Sequence, residues 1–208
     1  MQSHIDHLVL AVPDLATAME EIKELLGVEP AMGGRHPGWG TWNALVSLGD
    51  RTYLELIAAD PENQIPGIQC PDIFTSEGTA RMIGWFAKCQ DLKRNHEVLM
   101  ANGVCTGEVK AGSRMLPDGR TLQWQLTDPN VMVLHGIFPM LIDWGHSPHP
   151  AATAPRGCRL DELRLFHPEA TEVERLMSSI GIEQTVHQGE QPSISVVIEA
   201  PTGKVQLP

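Results

Sequence analysis

The pattern of apolar positions along the chain changes period at regular intervals. Residues 6 to 12 (Asp-His-Leu-Val-Leu-Ala-Val) form a β-rich run broken by Pro13-Asp14, after which Leu15, Ala18, Met19, Ile22, Leu25 and Leu26 recur at helical spacing. Asp14 stands in the N-cap region and Gly27 where a C-cap glycine belongs, so the spacing predicts a strand, a cap and a helix that ends at Gly27. Val28-Glu29-Pro30 comes next, then a glycine-rich loop from Gly33 to Gly40, a run from Thr41 to Leu48, a turn at Gly49-Asp50 and a run from Thr52 to Ala58. The order returns from Arg81: an apolar run to Cys89, Gln90-Asp91-Leu92, a helical stripe through Val98, Leu99 and Met100, and a stop at Asn102-Gly103. Strand-like segments at Met115-Leu116 and Thr121 to Thr127 flank a turn at Pro117-Asp118-Gly119, and Pro139 to Trp144 closes the unit. A third copy begins near Leu160, with Leu163 to Phe166 as strand, His167-Pro168-Glu169 as cap, and Val173, Leu176, Met177 and Ile180 as a helix stripe. Two β-rich runs, Ser193 to Glu199 and Lys204 to Leu207, complete it, and in all three copies the cap precedes the terminating glycine by about 13 residues.

A βαβββ unit cannot cover both faces of its own sheet. The helix shields one face, and the other must meet a partner unit or line a cleft. Proline-bearing stretches from Pro61 to Glu77 and from His146 to Pro155 separate the copies, which sets three expected modules at 1–60, 78–145 and 158–208 in an α+β chain, the third degenerate and packed with the other two.

Alternation then selects side chains. On the first strand Leu8, Leu10 and Val12 share one face and His7, Val9 and Ala11 the other, so with the leucines on the helix His7 faces the cleft. Leu54 and Leu56 likewise oppose Tyr53, Glu55 and Ile57. A carboxylate among apolar neighbours needs a cation, a metal or a hydrogen-bonded histidine, and an imidazole plus a carboxylate is a common start to a divalent metal site. The plainer alternatives, a core histidine and a solvent-facing glutamate, stay open at this stage. Asn43 in an otherwise apolar strand calls for a specific hydrogen-bond partner. Arg35 either binds an anionic group or is a surface arginine, and His146 and His149 either line the cleft or decorate a linker.

Composition narrows the function classes. The 208 residues are 42% apolar and 20% charged, enough for one full core, and no apolar run approaches the roughly 18 residues of a membrane span. Fifteen basic against 26 acidic residues give a net charge of -11, which disfavours nucleic acid and anionic lipid as partners. The cysteines, Cys70, Cys89, Cys105 and Cys158, form no C-x-x-C pair and suit free thiols. With an N-terminus lacking the basic start and apolar run of a signal peptide, they lead to an expected cytoplasmic location. The nucleophile elbow, the phosphate-binding loops and the H-E-x-x-H helix are all absent.

Several segments resemble the glyoxalase-like branch of the vicinal oxygen chelate superfamily: Asp6 to Leu15, Leu26-Gly27-Val28, Gly33 to Leu45 and Tyr53 to Ile57, and more weakly Pro139 to Trp144 and Ser147 to Ala151. The resemblance implies paired βαβββ modules forming a cupped mixed sheet with helices on its outer face, and metal ligands on the first and last strands of each module. His7 and Glu55 match those positions. In the second module, aligning Asp91-Leu92 with Asp14-Leu15 puts Gly84, which has no ligating side chain, opposite His7, and places Asp143 near the counterpart of Glu55. In the third, Glu162 falls opposite His7. The implied metal ligands are thus His7, Glu55, Asp143 and Glu162, with Glu55 alternatively a base. The implied substrate contacts are Arg35, His36, Trp42, Asn43, Trp144 and His149. The function to expect is a divalent-metal enzyme (zinc, nickel, manganese or iron) doing lyase, isomerase or dioxygenase chemistry on a small oxygen-rich metabolite. The alternative is a metal-free sequestration protein of bleomycin-resistance type. Either leaves a homodimer possible.

Overall fold

Helix boundaries form where local chemistry can satisfy their free backbone groups. The computed structural model describes residues 5–63, 78–115 and 121–207. In it the Asp14 carboxylate accepts the Thr17 amide at 2.8 Å and opens α1 (Leu15–Leu26), which Gly27 closes in the left-handed conformation. Asp91 caps α2 (Leu92–Ala101) through the Arg94 amide at 3.1 Å. In α3 (Ala170–Ser178) the preceding Glu169 makes no side-chain cap, and the His167 ring instead accepts the Glu169 amide through Nδ1 at 3.0 Å.

Around these helices lie twelve strands among the described residues. The first unit holds β1 (Ile5–Ala11), β2 (Ala31–His36), β3 (Thr41–Ser47) and β4 (Tyr53–Ala59). The second holds β5 (Arg81–Lys88), β6 (Val109–Met115), β7 (Thr121–Thr127) and β8 (Met140–Asp143). These form one sheet in the order β2-β3-β4-β1-β5-β8-β7-β6. In each unit the first and last strands pair in parallel, β1 with β4 and β5 with β8, while β1 and β5 join the units antiparallel. The sheet curls until β2 approaches β6 at the opposite edge. Sequence reasoning assigns Gly33 to Gly40 to a loop, yet β2 runs through Gly33 and Gly34 to His36. Gly34 pairs with Asn43 across an irregularity after Met32, and the chain turns only beyond His36.

The third unit, β9 (Arg159–His167), α3, β10 (Val186–Gln188), β11 (Ser193–Ala200) and β12 (Gly203–Leu207), repeats the element order but is wired differently. Its first strand pairs in parallel with its second, giving a separate sheet β10-β9-β11-β12. Leu163, Leu165, Val196 and Ile198 share one core with Leu8, Leu10, Trp85 and Leu99, so this unit covers the convex side of the curled sheet. Two hydrogen bonds tie it down: the Leu160 amide to the Leu48 carbonyl at 3.1 Å and the Thr202 hydroxyl to the Leu25 carbonyl at 2.7 Å.

A second apolar cluster, including Val9, Phe86, Trp124, Met140 and Ile142, lines the concave side and surrounds a cavity of about 470 Å3. Cys89, Cys105 and Cys158 are free thiols. Cys70, the turn at Pro117 to Gly119 and most of the stretch expected to link the first two modules lie outside the described residues. Among the described residues, no helix is long and apolar enough to cross a membrane.

Candidate active site

Strand register assembles the polar centre of the cavity. On parallel β1 and β4, His7 lies beside Tyr53 and Val9 beside Glu55, and on antiparallel β1 and β5, Phe86 lies beside His7. The His7 ring is therefore stacked between Tyr53 (centroids 4.5 Å apart) and Phe86 (4.2 Å), which fixes its plane and leaves only its edges for polar contacts. Nδ1 donates to Asp6 Oδ1 at 2.8 Å, and Nε2 lies 3.4 Å from Glu55 Oε2. Strict alternation would turn Asp6 to the convex side. A register irregularity between Ile5 and His7 re-aims it, so that it also accepts from Trp144 Nε1 (3.1 and 3.2 Å) and meets His149 Nε2 at 3.0 Å.

Asn43 orients the other side of the carboxylate. Its Nδ2 donates to Glu55 Oε1 at 2.5 Å and to His36 Nε2 at 3.3 Å, and its Oδ1 accepts from Arg114 Nη1 at 3.4 Å. With Nε2 of His36 accepting, Nδ1 carries the proton and donates to Thr41 Oγ1 at 3.0 Å. Arg114 arrives from β6, 71 residues away, and fits because Gly33 on β2 has no side chain: a Cβ there would sit 2.2 Å from Asn43 Oδ1 and 2.6 Å from Arg114 Nη1. Arg114 is 8% exposed, and its Nε has no hydrogen-bond partner among the described residues.

Burial and pairing pull the titrations apart. Burial by itself would raise the Glu55 carboxyl, but the His7 hydrogen bond and charge, helped by His36 and Asn43, outweigh it and lower its pKa to about 2. Burial likewise opposes ionisation of Asp6, and hydrogen bonds from His149 and His7 overcome it and hold the group well below the usual carboxylate range. For His7, burial favours the neutral ring, yet Asp6 and Glu55 together raise its pKa and so favour the imidazolium form beside the carboxylate. Burial lowers His36, with Arg114 and His7 adding to it against Glu55, and burial lowers Arg114 against the Glu55 carboxylate.

The structure brings together His7, Glu55, His36, Asn43 and Trp144 at the cavity, with His149 behind them on Asp6. It does not bring in the others. Arg35 points away and is held by Asp60 and by Glu62 (2.9 Å), its guanidinium 5.4 Å from the Trp42 ring. Trp42 packs on the helix-side core, because alternation on β3 gives the cavity Thr41, Asn43 and Leu45. Glu162 is exposed on the second sheet and bound to Arg164 at 2.7 Å. Asp143 accepts the Gly145 amide at 2.8 Å and does not line the cavity. The alignment of Asp14 on Asp91 carries Val9 onto Phe86. Since Val9 lies beside Glu55 and Phe86 beside Met140, the true counterpart of Glu55 is Met140. Sequence reasoning missed Asp6, Arg114 and the wall tryptophan Trp124, and of the two tryptophans in the Arg35–Asn43 segment it chose Trp42 where Trp39 lines the cavity. A lone arginine inside the β6 segment is the one available signal for Arg114.

A divalent ion would find two donors here, His7 Nε2 and Glu55 Oε2, with Asp6 behind the imidazole in the manner of a carboxylate–histidine–metal arrangement. The second unit offers Gly84 and Met140 at the matching positions, and among the described residues no three His, Cys, Asp or Glu side chains group to hold a metal. The residues do not fit a four-ligand centre.

A curled eight-stranded sheet of two βαβββ units, holding a cavity on its concave face, is the architecture of the vicinal oxygen chelate superfamily. Residues 5–181 match the family model described as a glyoxalase-like domain, and the chain belongs to that family. A hypothetical protein from Staphylococcus aureus is similar in structure over 91% of this chain and 87% of its own, with 12% sequence identity and a TM-score of 0.63. Methylmalonyl-CoA epimerase from Mycobacterium tuberculosis covers 74% of this chain and 96% of its own, with 18% identity and a TM-score of 0.44. No curated protein matches the chain.

Proposed function

We propose that this protein is an enzyme of lyase or isomerase type that moves a proton on a small oxygen-rich metabolite and stabilises the resulting enolate or related oxyanion. One observation carries the reading: a buried imidazole and a buried carboxylate face each other at 3.4 Å on the cavity wall, each held from behind by its own hydrogen bond. A carboxylate lowered to about 2 is a weak base only while its partner keeps its charge. As His7 Nε2 gives its proton to a developing substrate oxyanion, Glu55 loses the charge that depressed it and gains affinity for the proton leaving carbon. The two transfers reinforce each other: the C–H proton goes to Glu55, the imidazolium proton goes to oxygen, and an enol results. Reversal at a different carbon or face completes an isomerisation and restores the pair.

The test is wash-out of C–H signal from phenylpyruvate and similar 2-oxo acids in D2O, monitored by proton NMR. The wild type exchanges with or without a chelator, and Glu55→Gln slows exchange at least about a hundredfold. Exchange that needs added manganese, nickel or zinc would favour the metal-dependent reading instead. Binding without exchange would favour sequestration.

A further inference from the structure

Arg114 is the charged group of the cavity that the proton-transfer pair does not use. Its guanidinium carries five N–H donors, yet its side chain makes one long hydrogen bond, to Asn43 Oδ1, and its buried Nε makes none among the described residues. No carboxylate of the described residues forms an ion pair with it, and the buried carboxylate that opposes its charge, Glu55, acts at a distance. A buried donor left in this state is costly unless a ligand completes it. The planar fork of guanidinium matches one ligand chemistry best, a carboxylate bound through two parallel hydrogen bonds.

The walls beside it are flat and aromatic. Trp39 and Trp124 lie with ring centroids 6.4 Å apart and planes 28° from parallel, and Trp144 adjoins Trp124 at 5.3 Å. Three of the five tryptophans in the chain therefore face one cavity, whose volume suits a single metabolite.

We propose that the ligand of this cavity is a planar, conjugated carboxylate, its carboxylate on Arg114 and its ring or conjugated arm against Trp124 and Trp39. The proposal names the substrate class of the proton-transfer enzyme and rests on that reading for the chemistry after binding, while the binding itself is tested separately.

The experiment is equilibrium binding by tryptophan fluorescence and ligand-observed NMR, using trans-cinnamate and benzoate, their neutral amides, and cyclohexanecarboxylate. For the wild type, the aromatic carboxylates bind at least tenfold tighter than the amides and than the saturated acid. Arg114→Met erases the carboxylate-over-amide preference, and Arg114→Lys, which keeps the charge and loses the fork, restores part of it. Near-equal affinity for carboxylate and amide in the wild type would overturn the proposal without any variant, as would a preference that survives in a folded Arg114→Met protein. Glu55→Gln separates the two claims. If it retains the carboxylate preference while D2O exchange is absent in every protein, the acid–base reading fails and the ligand class stands.

Discussion

Replacing Glu55 with glutamine tests whether the His7–Glu55 contact is an ion pair whose charge the fold stabilises. Glutamine keeps the shape and the Oε1 acceptor for Asn43, and so stands in for the protonated acid. The native carboxyl is lowered from 4.5 to about 2, and a depressed acid adds stability that is complete above its unfolded value and lost as pH falls through its folded value. At about 1.4 kcal/mol per pH unit, the interval amounts to roughly 3 kcal/mol, within the range for breaking one side of a buried pair. His7, raised above 6.5, adds stability that is present below that value and lost as pH rises through its folded value, so the pair is strongest between 4.5 and 6.5. Urea unfolding monitored by circular dichroism at pH 6, 5, 4 and 3 should show the wild type ahead of Glu55→Gln by roughly 3 kcal/mol at pH 5, shrinking to roughly 1.5 kcal/mol at pH 3. A difference that does not change with pH would mean the loss is packing rather than charge. Equal stability at pH 6 would refute the ion pair outright.

The double substitution Gly84→His with Met140→Glu gives the second unit the pair the first already has. The nearest atom to a Cβ at Gly84 is the Met140 methyl at 3.2 Å, which the second change removes, so zinc should bind tighter by roughly 3 kcal/mol per added ligand, read by competition with a chromophoric chelator. Gly136→Ala should cost roughly 3 kcal/mol or more in urea unfolding, because φ there is +84° and a Cβ would lie 2.1 Å from the Ile83 carbonyl oxygen, against backbone that cannot swing aside. Leu165→Ala, at a fully buried position of the second sheet, should cost about 2–5 kcal/mol and shift a single unfolding transition by circular dichroism and tryptophan fluorescence alike. Separate transitions would show that the third unit unfolds on its own.

The inner pair was legible because period-two alternation is a local rule, and it turned His7 and Glu55 to the face that lines the cavity, while Asn43 stood out as an amide in an apolar strand. Asp6 was hidden by one irregularity that defeats the same rule. Arg114 was hidden because its contact with Asn43 depends on how far the sheet curls, which no short window of sequence encodes. Asp143 was misassigned because the connection into β8 carries a 3-10 turn at Val133–Gly136 with left-handed Leu134 and His135, and counting residues across it loses the register. Glu162 failed for another reason: the third unit copies the order of elements but not their pairing, so a position matched along the chain is not matched in space.

The two halves of the curled sheet do not contribute alike to the cavity. β1, β3 and β4 carry His7, Asn43 and Glu55, whereas Arg114, Trp124 and Met140 come from β6, β7 and β8. If the proposed roles hold, a gene built this way can vary its later half to exchange one ligand for another while the earlier half keeps the proton-transfer pair, so relatives sharing His7 and Glu55 but differing around Arg114 and Trp124 would form a series with one reaction and many substrates.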